Sequence, residues 1–333
     1  MRKSHFEALM LVAMLCWASL RGRAQSKMDN VDDIGDRKVA HWSLISQEKE
    51  IAIGKQYADQ IDKQAKILKD PVVNEYINRV AQNIARNSDL KIPLTIKIID
   101  DPAINAFTLP GAFMYINTGT ILAADEEDEI AGVIGHETGH AAARHWANTM
   151  SKETLMRFSM LPMMFIPMTY AVYMGVMEAY MNGVPMIFLK FSRAEERQAD
   201  FLGLQYMYKA GYDPNAFVAF FGKVMDEERR NPGSMAKVFE DHPPTGDRII
   251  AAEEEIQKIL PKRPEYLVST SEFDDIRARL QSEITQRKRQ KGGDNGPTLR
   301  KHQTPDSTTQ SGQQKTGSGS DSDDQPPVLR RRD

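Results

Sequence analysis

The sequence predicts an α+β fold, in which a mainly helical domain carries a small β-sheet. Apolar residues recur at helical spacing in most segments between residues 46 and 286. Two short stretches within that region, residues 94–98 and 112–117, have instead the composition and alternation typical of strands. With 333 residues, of which 41% are hydrophobic, the chain can bury a sizeable core and form one or two globular domains.

Residues 1–24 have the pattern of an export signal. Two basic residues near the start precede an apolar run, residues 8–20, which is shorter than a comfortable membrane span. Gly22 and Ala24 supply small residues ahead of a cleavage site, although the arginines beside them would also suit an uncleaved anchor. We expect a cleaved signal peptide and export to the bacterial periplasm. The chain's one cysteine, Cys16, lies in this segment, so no intramolecular disulfide can form.

A polar N-terminal extension, residues 25–45, precedes the first helix, which the apolar spacing predicts over residues 46–67. Asp70 is a favourable N-cap for the next helix, and Pro71 suits its first position. This second helix carries apolar residues on one face: Val73, Tyr76, Ile77, Val80 and Ile84.

The middle of the chain contains the two predicted strands. Residues 94–98 form the first and residues 112–117 the second, and a turn-bearing loop at residues 105–111 lies between them. A helix is predicted to begin at about Asp125, because acidic residues there precede apolar residues at i, i+3 and i+4 spacing.

Residues 158–177 carry no charge over 20 positions, which is long enough to span a membrane. Pro162 and Pro167 interrupt this run, and nine of the chain's 18 methionines lie between residues 156 and 186. Flexible methionine side chains suit an adaptable apolar surface. We interpret the segment as helical and either buried or in peripheral contact with a membrane surface; a true span is the alternative.

The chain from residue 192 onward is predicted from similar signals. Helices are expected over residues 192–210, from residue 214, up to about residue 260, and over residues 271–286. Gly211 ends the first of them. Residues 287–333 are polar and cannot bury a core, so we expect a disordered tail beyond a folded domain at residues 46–286.

The strongest chemical signal is an H-E-x-x-H motif at residues 136–140. His136 and His140 are four residues apart, so on a helix their imidazoles lie on one face and can bind one metal ion. Glu137 lies beside that face and can act as a base toward water. The motif predicts one zinc ion per chain and zinc-assisted hydrolysis.

Zinc needs a third protein ligand. In the extended motif H-E-x-x-H-x-x-G-x-x-H, the last histidine would fall at Trp146, and His145 is one residue out of register. Glu196 is the better candidate, because Asp200 follows four residues later on the same helix face and can accept a hydrogen bond from a ligand histidine. Glu195 is the rival, although it has no carboxylate four residues later.

These motifs together resemble a known family. H-E-x-x-H followed by S-R-x-x-E-x-x-A-D at residues 192–200 is similar to the gluzincin metallopeptidases typified by HtpX, the CaaX prenyl proteases, and the Oma-type and BepA-like proteases. Residues 100–111 resemble the family's strand and loop beside the active site, and residues 242–248 its histidine-proline motif. The resemblance covers about residues 46–260 and implies a zincin-like metalloprotease domain.

The resemblance also implies where a substrate lies. The strand at residues 112–117 would be the edge of the small sheet, would line the active site and would pair with the backbone of a polypeptide substrate. We therefore expect Asn105, Ala112, Phe113 and Met114 to bind substrate.

We expect an exported zinc-dependent endopeptidase that acts in the quality control of misfolded envelope proteins. Glu137 would take a proton from the attacking water and return it to the leaving amine. A chaperone-like scaffold that binds unfolded chains is an alternative, which the intact Glu137 disfavours, and a membrane-embedded protease is another. The net charge of -3 does not indicate a nucleic-acid partner, and the sequence indicates no particular oligomeric state.

His242 lies in a proline-stiffened loop, far in sequence from the zinc motif. As a catalytic residue it could stabilise the oxyanion that develops on the attacked carbonyl. It could instead occupy the open zinc position in the resting enzyme, or simply cap the following helix. We favour the blocking role, because an exported protease needs a restraint against indiscriminate cutting.

Overall fold

The computed structural model describes residues 28–160, 169–170, 172, 174, 191–230, 245–267 and 271–292. The predicted signal peptide, His242, most of the apolar segment at residues 158–177 and the tail from residue 293 lie outside the described residues. The described residues up to Lys288 belong to one compact unit.

The described helices are α1 (Gln47–Gln64), α2 (Pro71–Arg86), α3 (Thr118–Ala123), α4 (Glu127–Ala143), α5 (His145–Met160), α6 (Arg193–Ala210), α7 (Asn215–Arg230), α8 (Gly246–Ile259) and α9 (Ser271–Gly292). The strands are β1 (Thr95–Ile99), β2 (Ala106–Leu109) and β3 (Phe113–Asn117). The predicted mainly helical fold with a small sheet is therefore confirmed. In this part of the chain, each helix falls short of the length and apolar character that a membrane span requires.

Local signals explain where the first helices begin. The side chain of Asp70 accepts hydrogen bonds from the backbone N–H groups of Val72 and Val73, so it caps α2 as predicted. All five apolar residues predicted on one face of α2 are buried. The preceding helix, α1, ends at Gln64 and not at residue 67, because Ile67 leaves the helix and bridges to Ile99 of β1.

The sheet has the strand order β1-β3-β2. The central strand, β3, pairs parallel with β1 and antiparallel with β2. The assignment of residues 112–117 as the edge strand is therefore wrong. The edge strands are β1 and β2, and β2 lies inside the predicted loop at residues 105–111. Four residues that run directly into a Pro-Gly turn are too few for a periodic pattern to reveal a strand.

Two glycines bring α4 and α6 into close contact. A methyl group added at Gly139 would lie 2.7 Å from the carbonyl oxygen of Ala199, and one added at Gly203 would meet the backbone of His136. Such distances leave no room for a side chain, so the two helix backbones touch directly. This contact places the H-E-x-x-H turn of α4 opposite the first turns of α6.

The later helices follow the sequence signals closely at their starts. The N-cap of α6 is Ser192, and the helix ends before Gly211, whose φ of 101° is favourable for glycine. The last helix, α9, continues past the predicted end at residue 286 to Gly292.

Candidate metal centre

Three side chains with metal-binding atoms meet between α4 and α6. His136, His140 and Glu196 are only 3%, 2% and 4% exposed. One ligand atom from each lies within 4.8 Å of the other two. The α4 residues contribute their imidazoles from one face of the helix because they are four positions apart.

The distances between these atoms fit a tetrahedral metal. The Nε2 atoms of His136 and His140 are 3.2 Å apart. Glu196 places Oε2 3.6 Å from Nε2 of His136 and Oε1 3.5 Å from Nε2 of His140. Zinc bonds of about 2.0–2.1 Å in tetrahedral directions separate ligand atoms by about 3.3 Å. Two imidazoles and one carboxylate at these separations are a donor set that suits zinc.

The rival ligand, Glu195, is engaged elsewhere. Its carboxylate accepts hydrogen bonds from the backbone N–H and the hydroxyl of Ser192, which completes a capping box at the start of α6. It also pairs with Lys152 at 3.0 Å. The structure therefore brings Glu196, and not Glu195, to the two histidines.

Asp200 holds the ring of His136 from the side opposite the cluster. Its Oδ1 lies 2.9 Å from Nδ1 of His136. Arg248 of α8 donates to both Asp200 oxygens at 2.7 Å and lies 3.0 Å from Glu196. Burial alone would raise the pKa of Asp200, but hydrogen bonds from Arg248 and His136 hold that pKa below its ordinary value. Asp200 is therefore a charged acceptor for His136.

Glu137 is buried beside these groups, at 3% exposure. Burial alone would lower the pKa of Arg248, but Asp200, Glu196 and Glu137 together hold it above its ordinary value. The Arg248 guanidinium is thus the positive charge that balances three carboxylates in a space with little water.

A buried histidine, His145, contacts the second predicted zinc ligand, His140. Nδ1 of His145 lies 2.9 Å from Nδ1 of His140, and Nε2 of His145 lies 3.2 Å from Oε1 of Gln198. Burial lowers the pKa of His145 to about 4, so this imidazole is neutral at physiological pH. His41, which precedes α1, reaches the same Gln198 oxygen at 2.5 Å.

The sequence does not indicate these supporting roles. His145 is out of register for a third zinc ligand, and Arg248 belongs to the stretch that resembles the family's histidine-proline motif. Gln198 carried no signal in the sequence except its position two residues after Glu196 on α6.

Most of the residues predicted to bind substrate are buried or already hydrogen-bonded within the protein. Ala112 and Met114 are buried in the core, and the carbonyl of Asn105 accepts hydrogen bonds from Asn117 and Thr120 within the protein. Phe113 is partly buried and lies in β3, whose two sides are both paired.

The edge next to the zinc-motif helix belongs to β2. The bond from the Asn117 N–H to the Asn105 carbonyl sets the pairing of β2 with β3, so the backbone groups of Ala106 and Thr108 point away from β3. Trp146 of α5 confirms this direction, because its indole N–H donates to the outward carbonyl of Thr108 at 2.7 Å.

Comparison with known proteins places this arrangement in context. The sequence profile of peptidase family M48 matches residues 71–256. The beta-barrel assembly-enhancing protease of Escherichia coli is 25% identical over 276 residues, which cover 81% of this chain and 56% of that protein. A Vibrio cholerae protein with the same descriptive name is 29% identical over 257 residues, 74% of this chain and 52% of the relative.

A mitochondrial relative also matches. The mitochondrial metalloendopeptidase OMA1 of Schizosaccharomyces pombe is 31% identical over 191 residues, which cover 56% of this chain and 54% of the relative. The chain spans about half the length of the curated relatives it matches.

Proposed function

Because the chain belongs to peptidase family M48, we propose that it is an exported zinc endopeptidase that cleaves misfolded proteins of the cell envelope. The observation that carries the proposal is the buried group of His136, His140 and Glu196, whose ligand atoms are spaced as a tetrahedral zinc site requires. A metallopeptidase needs this donor set together with a base, and Glu137 follows directly after the first ligand.

The residues near the cluster have distinct roles in the proposed reaction. When bound, zinc supplies a Lewis acid that polarises the scissile carbonyl and makes water more acidic. Glu137 accepts the proton of the attacking water and then delivers it to the nitrogen of the leaving amine. Asp200 keeps the proton of His136 on Nδ1, which leaves Nε2 free to bind the metal.

Arg248 balances the negative charge of the site. Its two bonds to Asp200 and its contact with Glu196 hold both carboxylates in place on successive turns of α6. The aromatic rings of Phe217 and Phe221 lie 6.3 and 6.0 Å from the ring of His136 and help to exclude water from that side.

We place the substrate backbone along β2 and not along β3. An extended peptide can add a strand only where N–H and C=O groups point outward from a sheet edge, and Ala106 meets this condition. The Trp146 indole already takes the outward carbonyl of Thr108, so the substrate strand would meet α5 at that residue.

The biological role draws on the N-terminal sequence and on the relatives. Residues 1–24 have the composition of an export signal. Two relatives are named for enhancing the assembly of beta-barrel proteins. Both features support a protease that works on proteins outside the cytoplasm, with unfolded polypeptides as its substrate class.

A casein-degradation assay tests the proposed activity. The purified protein should cleave unfolded casein, lose this activity when a chelator removes its zinc, and regain it when zinc is added back. Binding of casein without cleavage, in the zinc-loaded protein, would favour a chaperone-like scaffold and contradict the proposal.

A further inference from the structure

We propose that His145, Gln198 and His41 form a hydrogen-bonded chain that fixes the tautomer and ring orientation of the zinc ligand His140, and so makes the segment before α1 part of the metal centre. The proposal rests on the proposed function, since it takes His140 as a zinc ligand. It assigns positioning roles to three residues that do not touch the metal.

The chain is continuous from the ligand to the N-terminal segment. Nδ1 of His140 meets Nδ1 of His145 at 2.9 Å, and Nε2 of His145 meets Oε1 of Gln198 at 3.2 Å. The Nε2 atom of His41 completes it at 2.5 Å from the same oxygen. His140 and His145 are fully enclosed by protein, so bulk water does not compete for these atoms.

The amide of Gln198 fixes the direction of the protons. Its nitrogen donates to the carbonyl of Val39 at 3.4 Å, which assigns the other amide atom as oxygen. An amide oxygen can only accept hydrogen bonds, so both His145 and His41 donate to it from Nε2. With its proton on Nε2, His145 leaves Nδ1 bare, and this atom is the acceptor in the 2.9 Å contact with Nδ1 of His140.

That acceptor is what a zinc ligand requires. A neutral histidine that binds metal through Nε2 carries its proton on Nδ1 and donates it to a neighbour. His140 does so to Nδ1 of His145. The opposite arrangement, with the proton of His145 on Nδ1, would set two acceptors against each other at Gln198 and would put the proton of His140 on the atom that must bind zinc.

Two hydrogen bonds hold the backbone of the segment before α1 against α4 and α5. The backbone N–H of His41 donates to the carbonyl of Ala143, the last residue of α4, at 2.9 Å. Asn148 of α5 donates to the carbonyl of Trp42 at 2.8 Å. The ring of His41 lies with its centroid 5.2 Å from that of His145. His41 is therefore the outermost residue of the hydrogen-bonded chain. The backbone at His41 and Trp42 is held by α4, which ends just before His145, and by α5, which begins at His145.

Histidine-selective nitrogen-15 spectra of the zinc-loaded, full-length protein test the tautomers directly. We expect His145 to be neutral with its proton on Nε2, and His140 to carry its proton on Nδ1. A proton on Nδ1 of His145, or on both of its nitrogens, would overturn the proposal, whether or not any variant folds.

Zinc dissociation constants, measured by competition with a chromophoric chelator, provide the second test. His145→Phe keeps the ring shape but removes the acceptor, and we expect zinc binding to weaken by roughly 10–100-fold. His145→Asn places a carbonyl oxygen near the former Nδ1 position and should recover most of the affinity. Equal losses in both variants would indicate that His145 only fills space, and would overturn the proposal.

Two glutamines on α6 offer a matched pair of variants. Gln198→Leu breaks the chain and should weaken zinc binding, whereas Gln205→Leu removes a buried glutamine that bonds to Arg37 instead and should leave it unchanged. His136→Ala distinguishes failure of the zinc site from failure of the hydrogen-bonded chain. If it leaves zinc affinity unchanged, the proposed zinc site itself fails; if it weakens binding but His145→Phe does not, only the hydrogen-bonded chain is wrong.

Discussion

Gly203 of α6 packs against the backbone of His136 so closely that a methyl group at Gly203 would lie 2.8 Å from the His136 nitrogen. No side chain therefore lies between the backbone of the first zinc ligand, His136, and the helix that carries Glu196. A zinc site with ligands on both helices depends on this separation, because an error of 1 Å between them would break the tetrahedral spacing.

Gly203→Ala should therefore weaken zinc binding and lower the free energy of unfolding by about 1–3 kcal/mol, as overpacking does. Gly222→Ala is the matched control, because Gly222 lies within α7 and a methyl group there would meet nothing within 4 Å. The control should keep its zinc affinity and gain about 0.5–1 kcal/mol. Thermal melts and chelator competition on both variants measure this, and equal behaviour of the two would refute the close-contact argument.

Glu196→Ala should reduce zinc affinity far more than Glu195→Ala, because Glu195 caps α6 and pairs with Lys152. Asp200→Ala should fall between them, with binding roughly 10–100-fold weaker, since it supports a ligand without touching the metal. Zinc content after gel filtration and chelator competition would rank the three variants. Loss of metal in Glu195→Ala with retention in Glu196→Ala would show that the ligand is misassigned.

Arg248→Leu should destabilise the metal-free protein by about 3–5 kcal/mol, because two buried carboxylates would lose the charge that balances them. Zinc binds one of these two carboxylates, Glu196, and should restore part of this loss. Arg248→Lys should not recover the full stability, since a lysine cannot make two parallel bonds to Asp200. Denaturant unfolding with and without zinc tests this expectation, and full recovery by lysine would count against the bidentate geometry.

Asp128 predicts a specific pH dependence of stability. Burial raises its pKa from 3.8 to about 6, although the backbone N–H of Asp213 donates to it. Between these two values the folded state holds a proton that the unfolded state has released, so stability falls as pH rises from about 4 to 6. Asp128→Asn keeps an oxygen that accepts the hydrogen bond from the Asp213 N–H but has no carboxyl group to titrate. Its stability should therefore not fall over this pH range.

The variant should match the wild type below pH 4 and exceed its free energy of unfolding above pH 6 by on the order of 1–3 kcal/mol. Denaturant midpoints measured from pH 4 to pH 8 give the difference curve. A difference that stays constant over this range would contradict the raised pKa.

Much of this organisation could be predicted because it depends on short-range patterns. Asp70 and Pro71 mark the start of α2, and the spacing of His136 and His140 requires only one helix. The pair Glu196 and Asp200 follows from the same four-residue period, so the structure brings together residues that the sequence had placed on one face.

Other features depend on contacts between distant segments. β2 is four residues long and becomes a strand only by pairing with β3, so the edge of the sheet was assigned to the wrong strand. Arg248 meets Asp200 from another helix, and His145 at the start of α5 meets Gln198 of α6. No local period signals such partners. The roles of His242 and of residues 158–177 remain predictions.

The zinc content and the casein turnover of Glu137→Gln, measured on the same preparation, test the central claim most directly. The substitution removes the base but none of the three zinc ligands. We expect one zinc ion per chain, as in the wild type, and no detectable cleavage of casein. Turnover near the wild-type rate with zinc bound would contradict the account, because the proton transfer assigned to Glu137 would then have no place in the reaction.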